Sequence, residues 1–187
     1  AMDIIAEDVS DDAELRKKLR ALFIKTGMMT SAAVDPEEET VYKNYYEFSE
    51  PVFRIAGHRV LALDRGERED KLKVSIVVPD ESGVKTVTDK YVKNSSPCGE
   101  LVKLACEDSY KRLIFPSIER EIRAELTEKA AESAIKVFAS NLRQLLMQAP
   151  VKNSVALGLD PGYRTGCKIA VVDGTGKVLD TGVAYIT

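Results

Sequence analysis

At 187 residues, 44% hydrophobic and 30% charged, the chain has the composition of an ordinary soluble globular protein and room for one domain or two small ones. No apolar run approaches the roughly 20 residues of a membrane span, and no stretch has the form of a signal peptide. The net charge is −3, and neither the region before residue 150 nor the segment after it has the basic excess of a self-sufficient nucleic-acid binder.

Residues 2–8 read as the tail of a helix. Ser10 is the expected N-cap of the next, with Asp11, Asp12 and Glu14 near its positive end. Leu15, Leu19, Leu22 and Phe23 fall on one apolar face, and Thr26-Gly27 should stop the helix with Gly27 as a left-handed cap. Asp35-Pro36-Glu37-Glu38 predicts a further helix start: Asp35 can cap, Pro36 fits the first turn and Glu38 can reach back. Tyr42, Tyr45, Tyr46 and Phe48 follow. Aromatics can stack bases, but the preceding turn is acidic and only Lys43 is basic, so a structural cluster is the stronger reading.

Ala56 to Asp64 predicts a short helix ended by Arg65-Gly66. Arg54, His58, Arg59, Arg65 and Arg68 make the densest basic spot in the chain. Asp64, Glu67, Glu69 and Asp70 are at hand to pair with it, the usual fate of such a run. Arg59, Arg65 and Arg68 are its candidate nucleic-acid contacts. Lys71 to Val78 alternates as a strand, and Val84 to Val92 could return as the second strand of a hairpin, which must then pack on the helices.

Ser96-Pro97 opens a helix by the N-cap and first-turn rule, running to about Phe115, where Pro116 should interrupt. Ser117 is then the expected cap of a long helix to about Gln148, ended by Ala149-Pro150. Ile118, Ile122, Leu126, Ala130, Ala134, Phe138, Leu142 and Leu146 are spaced by four. Each step of four advances about 40°, so no single flat partner covers the stripe. Its N-terminal half should pack on residues 1–116 and its C-terminal half elsewhere. The domain boundary is placed after this helix, giving a helical region with a small β insertion over 1–150 and a β segment over 153–187.

Val155 to Leu159 is a short apolar strand broken by Asp160-Pro161-Gly162, and Ile169 to Val172 is a second, followed by a turn at Asp173-Gly174-Thr175-Gly176. With Lys177 to Ile186 these predict a three-stranded antiparallel meander. Val155, Leu157 and Leu159 point to one face, and Ala156, Gly158 and Asp160 to the other. Cys98, Cys106 and Cys167 lack metal spacing and read as bystander thiols in a reducing compartment.

The block LGLDPGYRTGCKIAVVD, Leu157 to Asp173, resembles the opening of RNase H-like domains, in particular the YqgF type within the bacterial Tex family of transcription accessory proteins. HRVLALDRGERED (His58 to Asp70), DSYKRLIFPSIEREIRAEL (Asp108 to Leu126) and VFASNLRQLLMQAP (Val137 to Pro150) also look like Tex. A strand-Asp-x-Gly-strand hairpin also opens the actin and sugar-kinase fold, and the upstream resemblance favours Tex. The resemblance implies a mostly helical α+β fold: a helical region with a small β-hairpin and a long linking helix, then the first strands of an incomplete RNase H-like domain. It also implies a short helix as the alternative to the second strand at Val84 to Val92, and helix-hairpin-helix and S1 RNA-binding modules beyond Thr187. The parent would be a cytoplasmic, nucleic-acid-binding protein acting around the transcription machinery, with this piece a non-catalytic scaffold and no cofactor of its own. The alternative is part of a divalent-metal-dependent nuclease or resolvase. There Asp160 would be the first catalytic and metal-ligating carboxylate, taking Mg²⁺ in the parent. One carboxylate is not a site, and Asp before Pro-Gly is also a common turn residue. Arg164 and Lys168 are candidate phosphate contacts beside the turn. A third reading is a protein-docking module. A three-stranded sheet with an open face also suggests self-association through that face.

Overall fold

Asp12, rather than Ser10, starts the helix that carries the first apolar stripe. In the computed structural model, which describes residues 2–93, 96–149, 153–162 and 164–185, helix α1 (Met2–Ser10) keeps Ser10 as its last residue, its hydroxyl donating back to the Glu7 carbonyl. Asp12 caps α2 (Ala13–Thr26) by accepting the Leu15 amide at 3.0 Å. The same carboxylate takes the Lys90 ammonium and the Tyr91 hydroxyl, the latter at 2.5 Å. Lys90, then Tyr91 and the Leu15 amide, hold the Asp12 carboxyl well below the usual range. Burial and the Asp12 contact push the Tyr91 hydroxyl up to about 12. Leu15, Leu19 and Phe23 are buried and Leu22 packs against them, as their spacing requires. Gly27 is not left-handed: at φ −69°, ψ 143° it runs straight into β1 (Met28–Ala33). A Cβ there would sit 2.3 Å from the Phe23 carbonyl oxygen, so glycine is required by close approach and not by φ.

No helix starts at Asp35. Its carboxylate accepts the Glu37 amide at 3.0 Å in a local turn, and the chain then makes only a 3₁₀ turn (Lys43–Tyr45) before β2 (Glu47–Pro51). The aromatic cluster is structural. Tyr42 is buried with its hydroxyl donating to Glu69 at 2.8 Å, and the Tyr45 and Phe48 rings meet at 5.5 Å. β1 is the centre of an antiparallel sheet of order β2-β1-β3, with Thr30 opposite both Ser49 and Ser75. β3 (Leu72–Val77) alternates as expected, burying Leu72, Val74 and Ile76. Helix α3 (Gly57–Arg68) runs past Arg65-Gly66 to a C-cap at Glu69, and Asp70 beyond it adopts φ 55°. Gly66 is a packing position, because a Cβ would meet Leu72 at 2.6 Å.

Residues 84–92 form no second strand. They lie largely in α4 (Asp80–Tyr91), which buries Val87 and lays Gly83 against the Tyr110 ring. Ser96 caps α5 (Pro97–Asp108) by accepting the Gly99 amide at 3.2 Å. Pro116 does not break the helical path. A π-helical turn (Ser109–Ile114) leads directly into α6 (Phe115–Leu146). A helix-interior proline lacks a donor and clashes with the carbonyl four residues back, and the wider turn before it accommodates both. Buried Ser109 anchors that turn by donating to the Ala6 carbonyl at 2.6 Å. Ser117 caps nothing and instead accepts Arg16 of α2 at 2.7 Å.

The chain divides into two compact units, Ala1–Phe138 and Ala139–Thr187. In the first, Ile118, Ile122 and Ala130 of α6 are buried and Leu126 packs on the core. α6 also covers the free edge of β3: Glu119 accepts the Ile76 amide at 2.6 Å, and Arg123 donates to the Val74 carbonyl at 3.2 Å. Beyond Ala131 the helix is exposed, Ile135 and Phe138 included. The second unit holds β4 (Ala156–Asp160), β5 (Cys167–Val172) and β6 (Val178–Ala184), the antiparallel meander expected. The whole is a mostly helical α+β chain. Among the described residues no helix is long and apolar enough to cross a membrane.

A Cβ at Gly83 would lie 2.0–2.7 Å from the Tyr110 ring, so Gly83→Ala should destabilise the fold by about 1–3 kcal/mol, read as a lower urea midpoint. An unchanged midpoint would show that Tyr110 moves freely.

Candidate functional site

The charges of α3 are sorted by side. Val60, Leu63 and Gly66 are buried, so the residues flanking them face the body of the unit. Glu67 and Asp64 point that way and meet Arg123 of α6. Arg123 donates through both terminal nitrogens to Glu67, one bond at 3.2 Å, and lies 3.6 Å from Asp64. Asp64 also accepts the Thr127 hydroxyl at 2.6 Å. Burial opposes the Arg123 charge, but the two carboxylates more than offset it and hold the guanidinium above its ordinary value. At about 100° per residue, His58, Arg65 and Arg68 fall within an arc of about 80° on the opposite side, and all three are exposed.

The three α3 candidates therefore stand differently. Arg59 is bound to Glu50 at 2.8 Å. Arg65 is 70% exposed and only reaches Glu69 at 3.8 Å. Arg68 is exposed, its Nε donates to the Asp64 carbonyl of its own helix at 3.3 Å, and it makes no ion pair among the described residues. Nothing in the sequence alone singles out Arg123. It lies 56 positions from Glu67, and only an acidic turn on one helix and a lone arginine on another hint at the pairing.

On the meander, Asp160 stands opposite Lys168 and Gly158 opposite Ala170, while Thr181 and Val183 continue the same face. They line an open depression of about 730 Å³. Small side chains give this face its room, and the larger Leu157 and Leu159 lie on the other, also exposed. Asp160 is exposed and makes no ion pair with Lys168 among the described residues. Arg164 is exposed in the connecting loop, where Gly166 takes φ +81°. Asp160, Arg164 and Lys168 belong to the second unit, and the α3 arginines to the first. Among the described residues no three His, Cys, Asp or Glu side chains converge. A two-cation nuclease site needs several carboxylates, so the donors present here do not fit one.

Asp173 has a defined role beside this face. Its Oδ1 accepts the Thr175 hydroxyl at 2.7 Å and the Thr175 and Lys177 amides at 2.8 and 3.0 Å, closing the β5–β6 turn with Gly176 at φ +87°. The Thr175 hydroxyl and amide, then Lys177, hold the carboxyl below its ordinary value.

Two family models match the chain piece by piece. Residues 1–138 match the Tex central region-like family, and residues 154–187 match the Tex protein YqgF-like domain. The chain belongs to the Tex family. It is 50% identical to the uncharacterized protein YdcI of Bacillus subtilis, over 99% of this chain and 26% of that protein. It is 35% identical to the transcriptional accessory protein Tex of Neisseria gonorrhoeae, over 100% and 26%. It is 34% identical to S1 RNA-binding domain-containing protein 1 of Homo sapiens, over 98% and 20%. The chain thus spans a fifth to a quarter of the length of these relatives.

Because the folded Asp173 carboxyl is depressed, its turn should be fully stabilised above the ordinary carboxylate value of 3.8 and loosen as pH falls through the lower folded value. The Thr175 and Lys177 amide resonances should titrate below 3.8, and the transition should vanish in Asp173→Ala. A midpoint at or above 3.8 would contradict the assigned bonds.

Proposed function

We propose that the chain is a non-catalytic scaffold within a Tex-type transcription accessory protein, and that it touches nucleic acid along the outward face of α3. The observation that carries this reading is the sorting of charge on that helix. Arg123 takes up Asp64 and Glu67, so Arg65 and Arg68 face water with those two acids engaged elsewhere, while Glu69 stays 3.8 Å from Arg65. That local positive face coexists with a net charge of −3, which makes the contact modest. It adds to binding elsewhere in a longer protein and does not replace it. The names of two relatives, one a transcriptional accessory protein and one an S1 RNA-binding domain-containing protein, support the same direction. A cytoplasmic protein working beside the transcription machinery follows from it.

The nuclease reading rests on Asp160 at the end of β4, with Arg164 and Lys168 as phosphate contacts and Mg²⁺ as the metal. Asp160 would be one ligand of such a site, and among the described residues no group of three His, Cys, Asp or Glu side chains converges. The scaffold reading is therefore preferred.

Fluorescence anisotropy of this chain with labelled single-stranded RNA and duplex DNA tests it. Binding should weaken with salt, and Arg65→Ala with Arg68→Ala should lower the slope of log K against log salt by about 0.7 per lost contact on single strands. No binding at low salt, or an unchanged slope, would overturn it.

A further inference from the structure

Val52 and Ile55 bracket a turn whose two middle residues point away from the core. Val52 is 3% exposed, and its amide donates to the Gly27 carbonyl at 2.9 Å. Ile55 packs against the core cluster. Between them the Arg54 and Ile55 amides both donate to the Pro51 carbonyl, at 3.0 and 3.1 Å. The turn is thus pinned at both ends and bonded across its middle. What it presents is Phe53, 66% exposed, with Arg54 beside it. A phenyl ring held in water by a fixed backbone gains nothing for the fold.

Three aromatic rings stand mostly exposed among the described residues: Phe53, Phe138 and Tyr185. Of these, Phe53 alone adjoins an arginine in sequence. Arg54 has no ion pair among the described residues, whereas Arg20, Arg59, Arg112 and Arg123 are each met by a carboxylate. The nearest acid in sequence, Glu50, is occupied by Arg59 at 2.8 Å and would not repel an incoming phosphate. The turn leads directly into the α3 face that carries His58, Arg65 and Arg68. From His58 to Arg68 that face runs about 15 Å, long enough to follow several phosphates of an extended strand. Glu69 at its far end is engaged by the Tyr42 hydroxyl at 2.8 Å.

We infer that Phe53 is a base-stacking platform at one end of this track and that the surface is selective for single-stranded nucleic acid. Resting on the proposed α3 contact, this adds the ligand class and the residue that sets it. A ring stacks on any unpaired base, because every base has an aromatic face, while paired bases in a duplex offer none at their sides. Arg54, His58, Arg65 and Arg68 bind phosphate in either form, so Phe53 is what separates the two.

The test uses the whole 187-residue chain with a labelled oligouridine and a labelled duplex DNA at low salt. Phe53→Ala should weaken oligouridine binding about tenfold, the scale of one stacked base, and leave duplex binding unchanged. Phe53→Tyr should restore the oligouridine affinity. Thermal melting should not shift, since the ring is exposed. If Phe53→Ala binds oligouridine like the parent while Arg65→Ala binds it less well, the stacking inference is overturned and the phosphate contact stands. The same result would point to a protein partner for the exposed ring. If the unmodified chain binds neither probe, both readings fall.

Discussion

Arg123 is the side chain on which the arrangement of the helical unit turns. It leaves α6 in the middle of the buried stretch and reaches two elements at once, the carboxylates of α3 and the Val74 carbonyl of β3. A partly buried guanidinium is tolerated only with hydrogen-bonded partners of opposite charge, and Asp64 and Glu67 supply them. Arg123 in turn fixes which way α3 faces. One turn earlier, Glu119 closes the Ile76 amide. Together the two side chains occupy the edge of β3 that would otherwise be open to pairing.

That covered edge explains the largest difference between sequence and structure. Val84 to Val92 is rich in β-branched residues, but β3 has β1 on one side and α6 on the other, so a returning strand has nowhere to bond. The segment takes its helical alternative as α4 and hands Lys90 and Tyr91 to Asp12. β1 is illegible for the opposite reason. Met28 to Ala33 has no β-branched residue except Thr30 and no aromatic, and it is a strand because two neighbours pair with it. The capping pattern at Asp35 is genuine local chemistry spent on a turn. What reads correctly is local and periodic: the α2 stripe, β3, the Ser96 cap and the meander. Of the candidate site, the residue types at Arg65, Arg68 and Asp160 are visible in the sequence. The states of the two arginines are not, because the neighbouring acids Asp64 and Glu67 are taken up by Arg123, far away in sequence.

The two units ask different things of solvent. The first buries a continuous apolar core and exposes a sorted charge pattern on α3. The second leaves Leu157, Leu159, Val178 and Leu179 open to water, and the last turns of α6 do the same with Leu145 and Leu146. The Tex-family relatives the chain matches are about four to five times as long.

The most direct measurement is a double-mutant cycle between Arg123→Met and Glu67→Gln, followed by urea unfolding. If Arg123 orients α3 through Glu67, the two changes will be coupled by about 1 kcal/mol or more, and Arg123→Met alone will cost more than Glu67→Gln alone. Coupling near zero, with both single changes neutral, would mean that α3 is held by its apolar side only and that its charges are not sorted by Arg123.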